Sequence, residues 1–79
     1  MQLAIYVKEK DCSFDFQVEE NCLIGDCCRA MIEAICKKYQ EECWTGDFHL
    51  CSIQQGRLLE NAHTFRQEGV CQGEQLWLV

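Results

Sequence analysis

The sequence contains no proline, no Gly/Ser-rich segment and few basic residues. Because no stretch has the composition of a linker, we expect residues 1–79 to form a single domain. The chain has 7 Lys and Arg against 13 Asp and Glu, which gives a net charge of −6. Nucleic acids and anionic membrane surfaces are bound through clustered basic residues, so this charge argues against both kinds of partner.

Long apolar runs are also absent. No segment approaches the roughly 20 residues needed to cross a bilayer, so no direct membrane insertion is expected. The first residues, MQLAIYVKEKD, lack the basic stretch and long apolar core of a secretory signal. These absences predict a cytoplasmic protein.

Cysteine, in contrast, is abundant. A secreted disulfide scaffold, a zinc site and a catalytic thiol are the chemical alternatives. The missing signal disfavours the scaffold, and the sequence does not show the two pairs of closely spaced Cys or His ligands that structural zinc usually requires. We therefore expect reduced, mostly structural thiols, with no metal, no cofactor and no catalytic residue. The 8 cysteines are Cys12, Cys22, Cys27, Cys28, Cys36, Cys43, Cys51 and Cys71.

Alternation of apolar and polar residues predicts two strands near the amino terminus. LAIYV (3–7) and SFDFQVE (13–19) both alternate, and a polar turn at 8–11 joins them. Two such strands with a short connection predict a β-hairpin. Its inward residues would be Leu3, Ile5, Val7, Phe14, Phe16 and Val18.

From Leu23 the apolar residues recur with the period of a helix. The helix would span about 17 residues, with Asn21 as its N-cap. Asp26 would lie in the first turn, where its negative charge interacts favourably with the helix dipole. Gly25 near the start weakens a helix, and the sequence offers no reason for it. The predicted buried stripe consists of Leu23, Cys27, Ala30, Met31, Ala34, Ile35 and the stem of Lys38.

The remaining predicted elements are shorter. FHLCSI (48–53) predicts a third strand, QQGR (54–57) a turn and RLLE (57–60) a short edge strand. TFRQEGV (64–70) predicts a helical turn that Gly69 closes. Phe65 and Val70 would anchor this turn to the core.

EQLWLV (74–79) predicts the final strand. Leu76 and Leu78 would lie on one of its faces, with Trp77 and Val79 on the other. The complete order is then a hairpin, a long helix, a strand, a short strand, a turn and a last strand. This order predicts an α+β fold in which one long helix packs on one face of a mixed sheet of four to five strands.

The stretch LLENAHTFRQEGVCQGEQLWLV from Leu58, with its Gly-Val-x-x-Gly-Glu-x-Leu turn, resembles the last third of ubiquitin-like, or β-grasp, domains. VEENCLIGDCCRAMI from Val18 resembles their passage from the second strand to the helix. The chain is most similar to the YukD/EsaB family of type VII secretion loci in Gram-positive bacteria. This resemblance implies a cytosolic accessory component of such a secretion system. The many cysteines depart from the family's pattern.

Conjugated ubiquitin-like modifiers and sulfur carriers react through a C-terminal carboxylate on a tail that ends in Gly-Gly. Glycine is needed there because a side chain would block the narrow channel of the activating enzyme. The present sequence ends in Leu78-Val79, within the predicted last strand. We therefore expect a non-enzymatic protein–protein interaction module, with a sulfur carrier or conjugated modifier as the alternative.

The sheet face that the helix does not cover is the predicted binding surface. Trp and Tyr are enriched at interface hot spots, and this face would present one of each. The partner is expected to be a protein, and the resemblance implies the type VII membrane machinery or its ATPase. A homodimer through the same face, or a face with no partner, are the alternatives. The predicted partner-binding residues are Tyr6, His49, Ile53, Trp77 and Val79, with Ala4 and Cys51 on the same face.

Overall fold

The computed structural model describes every residue from Met1 to Val79. One α-helix packs on a five-stranded sheet whose strands lie in the order β2-β1-β5-β3-β4. β1 and β5 are parallel, and the other neighbouring pairs are antiparallel. This arrangement confirms the predicted α+β class and β-grasp architecture. The elements are β1 (Gln2–Val7), β2 (Cys12–Gln17), α1 (Ile24–Lys38), β3 (Leu50–Ser52), β4 (Arg57–Leu58) and β5 (Gln75–Leu78), with a 3₁₀ turn at Lys8–Lys10.

The predicted hairpin forms between β1 and β2. The two strands pair from Gln2 opposite Gln17 to Val7 opposite Cys12. Asp11 ends the turn with a φ of 48°, a left-handed conformation that Asp tolerates better than most residues other than glycine. The inward side chains of β1 are fully buried, whereas those of β2 are only half-buried. The difference arises because β2 lies at the edge of the sheet.

The helix turns a different face to the core from the one predicted. Of the predicted stripe, only Met31 and Ile35 are buried, while Ala30 and Ala34 are exposed. Two apolar stripes overlap on this helix, and the sheet buries the one with three isoleucines. Burial free energy scales with apolar area, so a stripe rich in alanine contributes less. The buried helix residues are Ile24, Cys28, Met31, Ile32, Ile35 and Cys36.

The helix begins without the predicted Asn21 cap. No side chain caps it, and two carbonyls of the loop before β5 accept its first amides. The N–H of Ile24 donates to the oxygen of His63 at 2.8 Å, and that of Gly25 to the oxygen of Asn61 at 3.0 Å. A Cβ on residue 25 would lie 3.2 Å from that same Asn61 oxygen. Gly25 is therefore explained by the close approach of the capping loop.

The shorter elements follow the prediction with adjusted ends. β3 has 3 residues, fewer than the predicted range 48–53, and β4 forms the predicted edge strand. Phe65 and Val70 are both buried and anchor the turn that Gly69 closes with a φ of 69°. β5 lies between β1 and β3 at the centre of the sheet. No helix in the structure combines the length and the apolar composition needed to span a membrane.

The cysteines are divided between the core and the surface. All of them are free thiols. Cys28 and Cys36 are buried on α1, which agrees with a structural role. Cys22, Cys43 and Cys71 are exposed, so these three do not contribute to the core. Cysteine is small enough to occupy a core position or an exposed loop, and periodicity alone does not distinguish the two.

Candidate protein-binding face

The surface of the sheet opposite α1, here called the free face, is built by strand register. Tyr6 pairs with Ser13 on one side and with Trp77 on the other. Trp77 in turn pairs with Cys51, and Cys51 pairs with Leu58. Opposed residues in a sheet point to the same face, so these five side chains form one row across all the strands.

Tyr6 and Trp77 form the aromatic centre of the free face. Their ring centroids lie 4.7 Å apart with an angle of 41° between the ring planes. Trp77 is 41% exposed, although Leu76 and Leu78 on either side of it are buried. This alternation directs the aromatic residue outward because both neighbours belong to the core. The prediction that Leu76 and Leu78 lie on one face of the last strand and Trp77 on the other is confirmed.

A hydrogen bond holds the phenol of Tyr6 in place. Its hydroxyl donates to Asp11 Oδ1 at 2.6 Å. This hydrogen bond, followed by partial burial, raises the pKa of Tyr6 above its ordinary value, so the hydroxyl keeps its proton. Asp11 and the exposed Asp15 give the β2 side of the free face an acidic border.

The opposite side of the free face is apolar. Leu58 on β4 is 55% exposed, and Ile53 in the turn after β3 is similarly exposed. Leu58 is not among the binding residues predicted from the sequence. The sequence contained an indication of its exposure. Leu58 and Leu59 are adjacent in a predicted strand, so their side chains must point to opposite faces and only one of them can enter the core. Leu59 is the buried member of the pair.

The buried carboxylate of Glu68 fixes β4 and therefore Leu58. It accepts the backbone N–H of Glu60 at 2.6 Å and Arg57 Nη1 at 3.1 Å, and His63 Nδ1 lies 3.4 Å away. The backbone hydrogen bond from Glu60, then that from Arg57, lowers the pKa of Glu68 to about 2. The carboxylate thus remains ionised and bonded at neutral pH.

A second buried carboxylate joins β3 to the start of β5. Glu74 Oε2 accepts Ser52 Oγ at 2.7 Å, and Glu74 Oε1 accepts the backbone N–H of Cys71 at 3.1 Å. Ser52 is fully buried, so this hydrogen bond satisfies its hydroxyl inside the core. The contact places β5, which carries Trp77, beside β3.

His49 and Val79 lie at the end of the sheet, away from the aromatic centre. Their backbones exchange two hydrogen bonds of 2.9 and 3.0 Å, and the Val79 side chain is exposed. His49 Nδ1 lies 3.4 Å from Asn61 Nδ2 and lines a cleft of about 500 Å³ beside the start of α1. The imidazole ring of His49 is therefore not part of the cluster formed by Tyr6 and Trp77. The prediction assumed alternation through 48–53, but β3 begins only at Leu50.

The structure groups the predicted residues as follows. Tyr6 and Trp77 are in contact, Ile53 and Val79 are exposed at separate borders of the sheet, and His49 lies in the cleft beside α1. No three His, Cys, Asp or Glu side chains come together as a metal-binding group would require. The free face offers an aromatic and aliphatic surface with an acidic border, which is suited to binding another macromolecule.

Comparison with family models gives no match for this sequence, and neither does comparison with curated proteins. Among solved structures, the fold is similar to that of the EccD5 ubiquitin-like domain from Mycobacterium xenopi. The TM-score is 0.77 at 16% sequence identity, and the match covers 99% of this chain and 90% of the other. At this identity the similarity concerns the fold, which is that of the ubiquitin-like domains.

Proposed function

We propose that this protein is a non-enzymatic protein–protein interaction module that binds its partner through the free face. The observation that carries the proposal is the contact between the exposed Trp77 and the half-buried Tyr6 at the centre of a sheet face that nothing in the chain covers. Trp and Tyr can each contribute about 2 kcal/mol or more to an interface. Leu58 and Ile53 extend the apolar area toward β4.

We further propose that the module is cytoplasmic, belongs to the YukD/EsaB family and works in a type VII secretion system. Two observations support this assignment. The Gly-Val-x-x-Gly-Glu-x-Leu turn at 69–76 resembles that family, and the fold is similar to the EccD5 ubiquitin-like domain. The partner would then be the membrane machinery of such a system or its ATPase.

The experiment compares binding of purified components. The protein is titrated with recombinant cytosolic domains of type VII membrane proteins and of the ATPase by calorimetry. The double variant Tyr6→Ala and Trp77→Ala should bind about a thousandfold more weakly, since two anchors of about 2 kcal/mol are lost. Tyr39→Ala is the matched control, because Tyr39 is also about two-fifths exposed but packs against Phe14 on β2.

Other outcomes would contradict the proposal. Equal loss of binding in the Tyr39 control would place the interface elsewhere. Sedimentation of the protein as a dimer that the double variant abolishes would make the free face a homodimer contact. A sulfur carrier or conjugated modifier would lose activity when one residue is added after Val79, whereas the interaction module should tolerate this extension.

A further inference from the structure

Two cysteines meet where the chain enters α1. Leu23 is the N-cap of this helix, so Cys22 is the residue before the cap and Cys27 is the fourth residue of the helix. Side chains at these two positions pack together at many helix starts, where an apolar pair fixes the angle at which the chain enters the helix. Here both members of the pair are cysteines, so the packing contact can become a covalent bond.

Three observations place the two sulfur atoms together. The Cα–Cβ bond of a helix residue tilts toward the amino end, so the Cys27 thiol points back over the loop that carries Cys22. Both residues line the same cavity of about 320 Å³. The two thiols also form a side-chain hydrogen bond with each other. Burial, followed by the neighbouring Cys22, raises the pKa of Cys27 to about 11.

Backbone hydrogen bonds hold both cysteines in place. The N–H of Cys22 donates to the oxygen of Glu19, and the N–H of Cys27 donates to the oxygen of Leu23, both at 3.1 Å. Cys22 is exposed, whereas Cys27 is half-buried. One sulfur is therefore open to a reagent in solution, and the other is held beside it.

We propose that Cys22 and Cys27 are the site of a reversible disulfide, formed by exchange with a small-molecule disulfide of the glutathione class. The exposed Cys22 loses its proton, attacks one sulfur of the small molecule and forms a mixed disulfide, which releases one small-molecule thiolate. Cys27 then gives its proton to water and attacks Cys22 Sγ, which displaces the second thiolate. The two thiolates take up the two protons. One small-molecule disulfide is thus reduced to two thiols, and two cysteine thiols are oxidised to one disulfide.

Two other exposed cysteines lack a partner of this kind. The sulfur of Cys71 donates to the carbonyl oxygen of Gly69 at 3.8 Å. Cys43 contacts the thiol of Cys36 beyond the end of α1, but Cys36 is 2% exposed and belongs to the core. A core thiol has little access to the water that must accept its proton before it can attack a mixed disulfide. The pair at the start of α1 is therefore the one that we expect to oxidise first.

The disulfide would close the loop from 22 to 27 across the start of α1. No side chain caps this helix, and its first amides depend on carbonyls of the loop before β5. A crosslink restricts the opened state, so the first turn should open less often. Oxidation would therefore stiffen the start of α1. Trp77 lies on the sheet face opposite α1, so this site does not depend on the function proposed for the free face.

The test treats the purified, reduced protein with oxidised glutathione, stops the reaction with acid and locates the modified cysteines by peptide mass spectrometry. The parent should form the Cys22–Cys27 disulfide before any other and release two reduced glutathiones for each bridge. Cys27→Ser should stop at a mixed disulfide between Cys22 and glutathione. Cys71→Ser is the matched control, because Cys71 is exposed like Cys22. This control should form the bridge as the parent does.

Hydrogen exchange measures the consequence of the bridge. In the oxidised protein, the amides of Ile24, Gly25 and Cys27 should exchange more slowly by about tenfold or more. Reduction with dithiothreitol should restore the original rates. Cys22→Ser changes an exposed position and should keep the fold. After the same oxidation this variant should exchange as the reduced parent does.

A mixed disulfide that persists on Cys22 of the parent would overturn the proposal, because Cys27 would then not reach it. A bridge between Cys36 and Cys43 that forms first would overturn it too. Unchanged exchange in a protein that carries the Cys22–Cys27 bridge would contradict the stiffening of α1. Trp77→Ala should form the bridge as the parent does, so failure of this proposal and failure of the free-face proposal are distinguishable.

Discussion

The indole of Trp77 packs against the phenol of Tyr6, with 4.7 Å between the ring centroids. The contact exists because the two residues are register partners in the parallel pair of β1 and β5. The first and last strands of the chain are therefore neighbours, and the centre of the free face is assembled from both ends of the sequence. The hydrogen bond from Tyr6 to Asp11 holds one ring of this pair in position.

Trp77 and Leu76 are adjacent in sequence and lie on opposite faces, so they form a matched pair for truncation. Leu76→Ala should lower the free energy of unfolding by about 2–5 kcal/mol, because a fully buried leucine leaves a cavity. Trp77→Ala should leave the melting temperature within a few degrees of the parent. Thermal unfolding followed by circular dichroism measures both. A comparable loss of stability in Trp77→Ala would mean that the Trp77 side chain belongs to the core.

The orientation of the helix can be tested in the same way. Ile32→Ala removes a buried side chain and should cost about 2–5 kcal/mol. Leu23 belongs to the stripe predicted from periodicity but is exposed in the structure. Leu23→Ala should therefore lower the free energy of unfolding by well under half as much. Denaturant unfolding gives both free energies. The reverse order would restore the helix face predicted from the sequence.

Gly25→Ala should destabilise the protein even though alanine favours a helix over glycine by about 1 kcal/mol. The added Cβ would lie 3.2 Å from the carbonyl oxygen of Asn61, which accepts the Gly25 N–H. The capping loop must then move, and the hydrogen bond weakens. Ala30→Gly on the exposed side of the helix is the control that measures propensity alone. A higher melting temperature for Gly25→Ala would show that the loop yields without cost.

Glu68 should make stability depend on acid pH. Its pKa is lowered to about 2 from an ordinary value of 4.5, chiefly by the hydrogen bond from the Glu60 N–H. A carboxylate with a lowered pKa contributes stability above its unfolded pKa and loses it as pH falls toward the folded pKa. The contribution should be complete above about pH 5 and decline between pH 4.5 and 2.

The variant Glu68→Gln should lower stability at pH 7 and flatten this part of the pH profile. Glu60→Gln is the matched control, because the Glu60 side chain is exposed and only its backbone contacts Glu68. Urea unfolding at a series of pH values provides the comparison. Parallel profiles for the parent and Glu68→Gln would rule out Glu68 as the source of the acid dependence.

Thiol reactivity should follow exposure and pKa. Cys22 and Cys71 are exposed and should react first with Ellman's reagent. Cys43 is also exposed but should react more slowly, because partial desolvation of its sulfur, followed by the nearby Cys36, raises its pKa. Burial raises the pKa of Cys28 to about 11, so this thiol should react only on unfolding. Rapid reaction of Cys28 in the folded protein would contradict its place in the core.

Residue patterns predicted most of the architecture. Alternation identified the hairpin, and the neighbouring Leu76, Trp77 and Leu78 showed which side of the last strand faces the core. These predictions succeeded because a strand has only two faces, so one buried residue determines the positions of its neighbours. The same rule failed for His49, because it was applied beyond the end of the short strand β3.

The helix shows the limit of this reasoning. A helix has no fixed pair of faces, and two overlapping apolar stripes satisfied its period equally well. Only packing against the sheet selected between them. The stripe with three isoleucines was buried because it removes more apolar area from water than the stripe rich in alanine would. The requirement for glycine at position 25 also became apparent only in the tertiary structure, because Asn61 is distant in sequence but near in space.

The sequence by itself determined the elements, their order and the outward direction of Trp77, because these follow from local periodicity and turn chemistry. The tertiary structure alone decided which residues meet. It placed Trp77 beside Tyr6, aligned Leu58 with them, and left the alanine stripe of α1 open along β2. Such contacts depend on strand register and on competition between faces for a small core, and neither is encoded within a single segment.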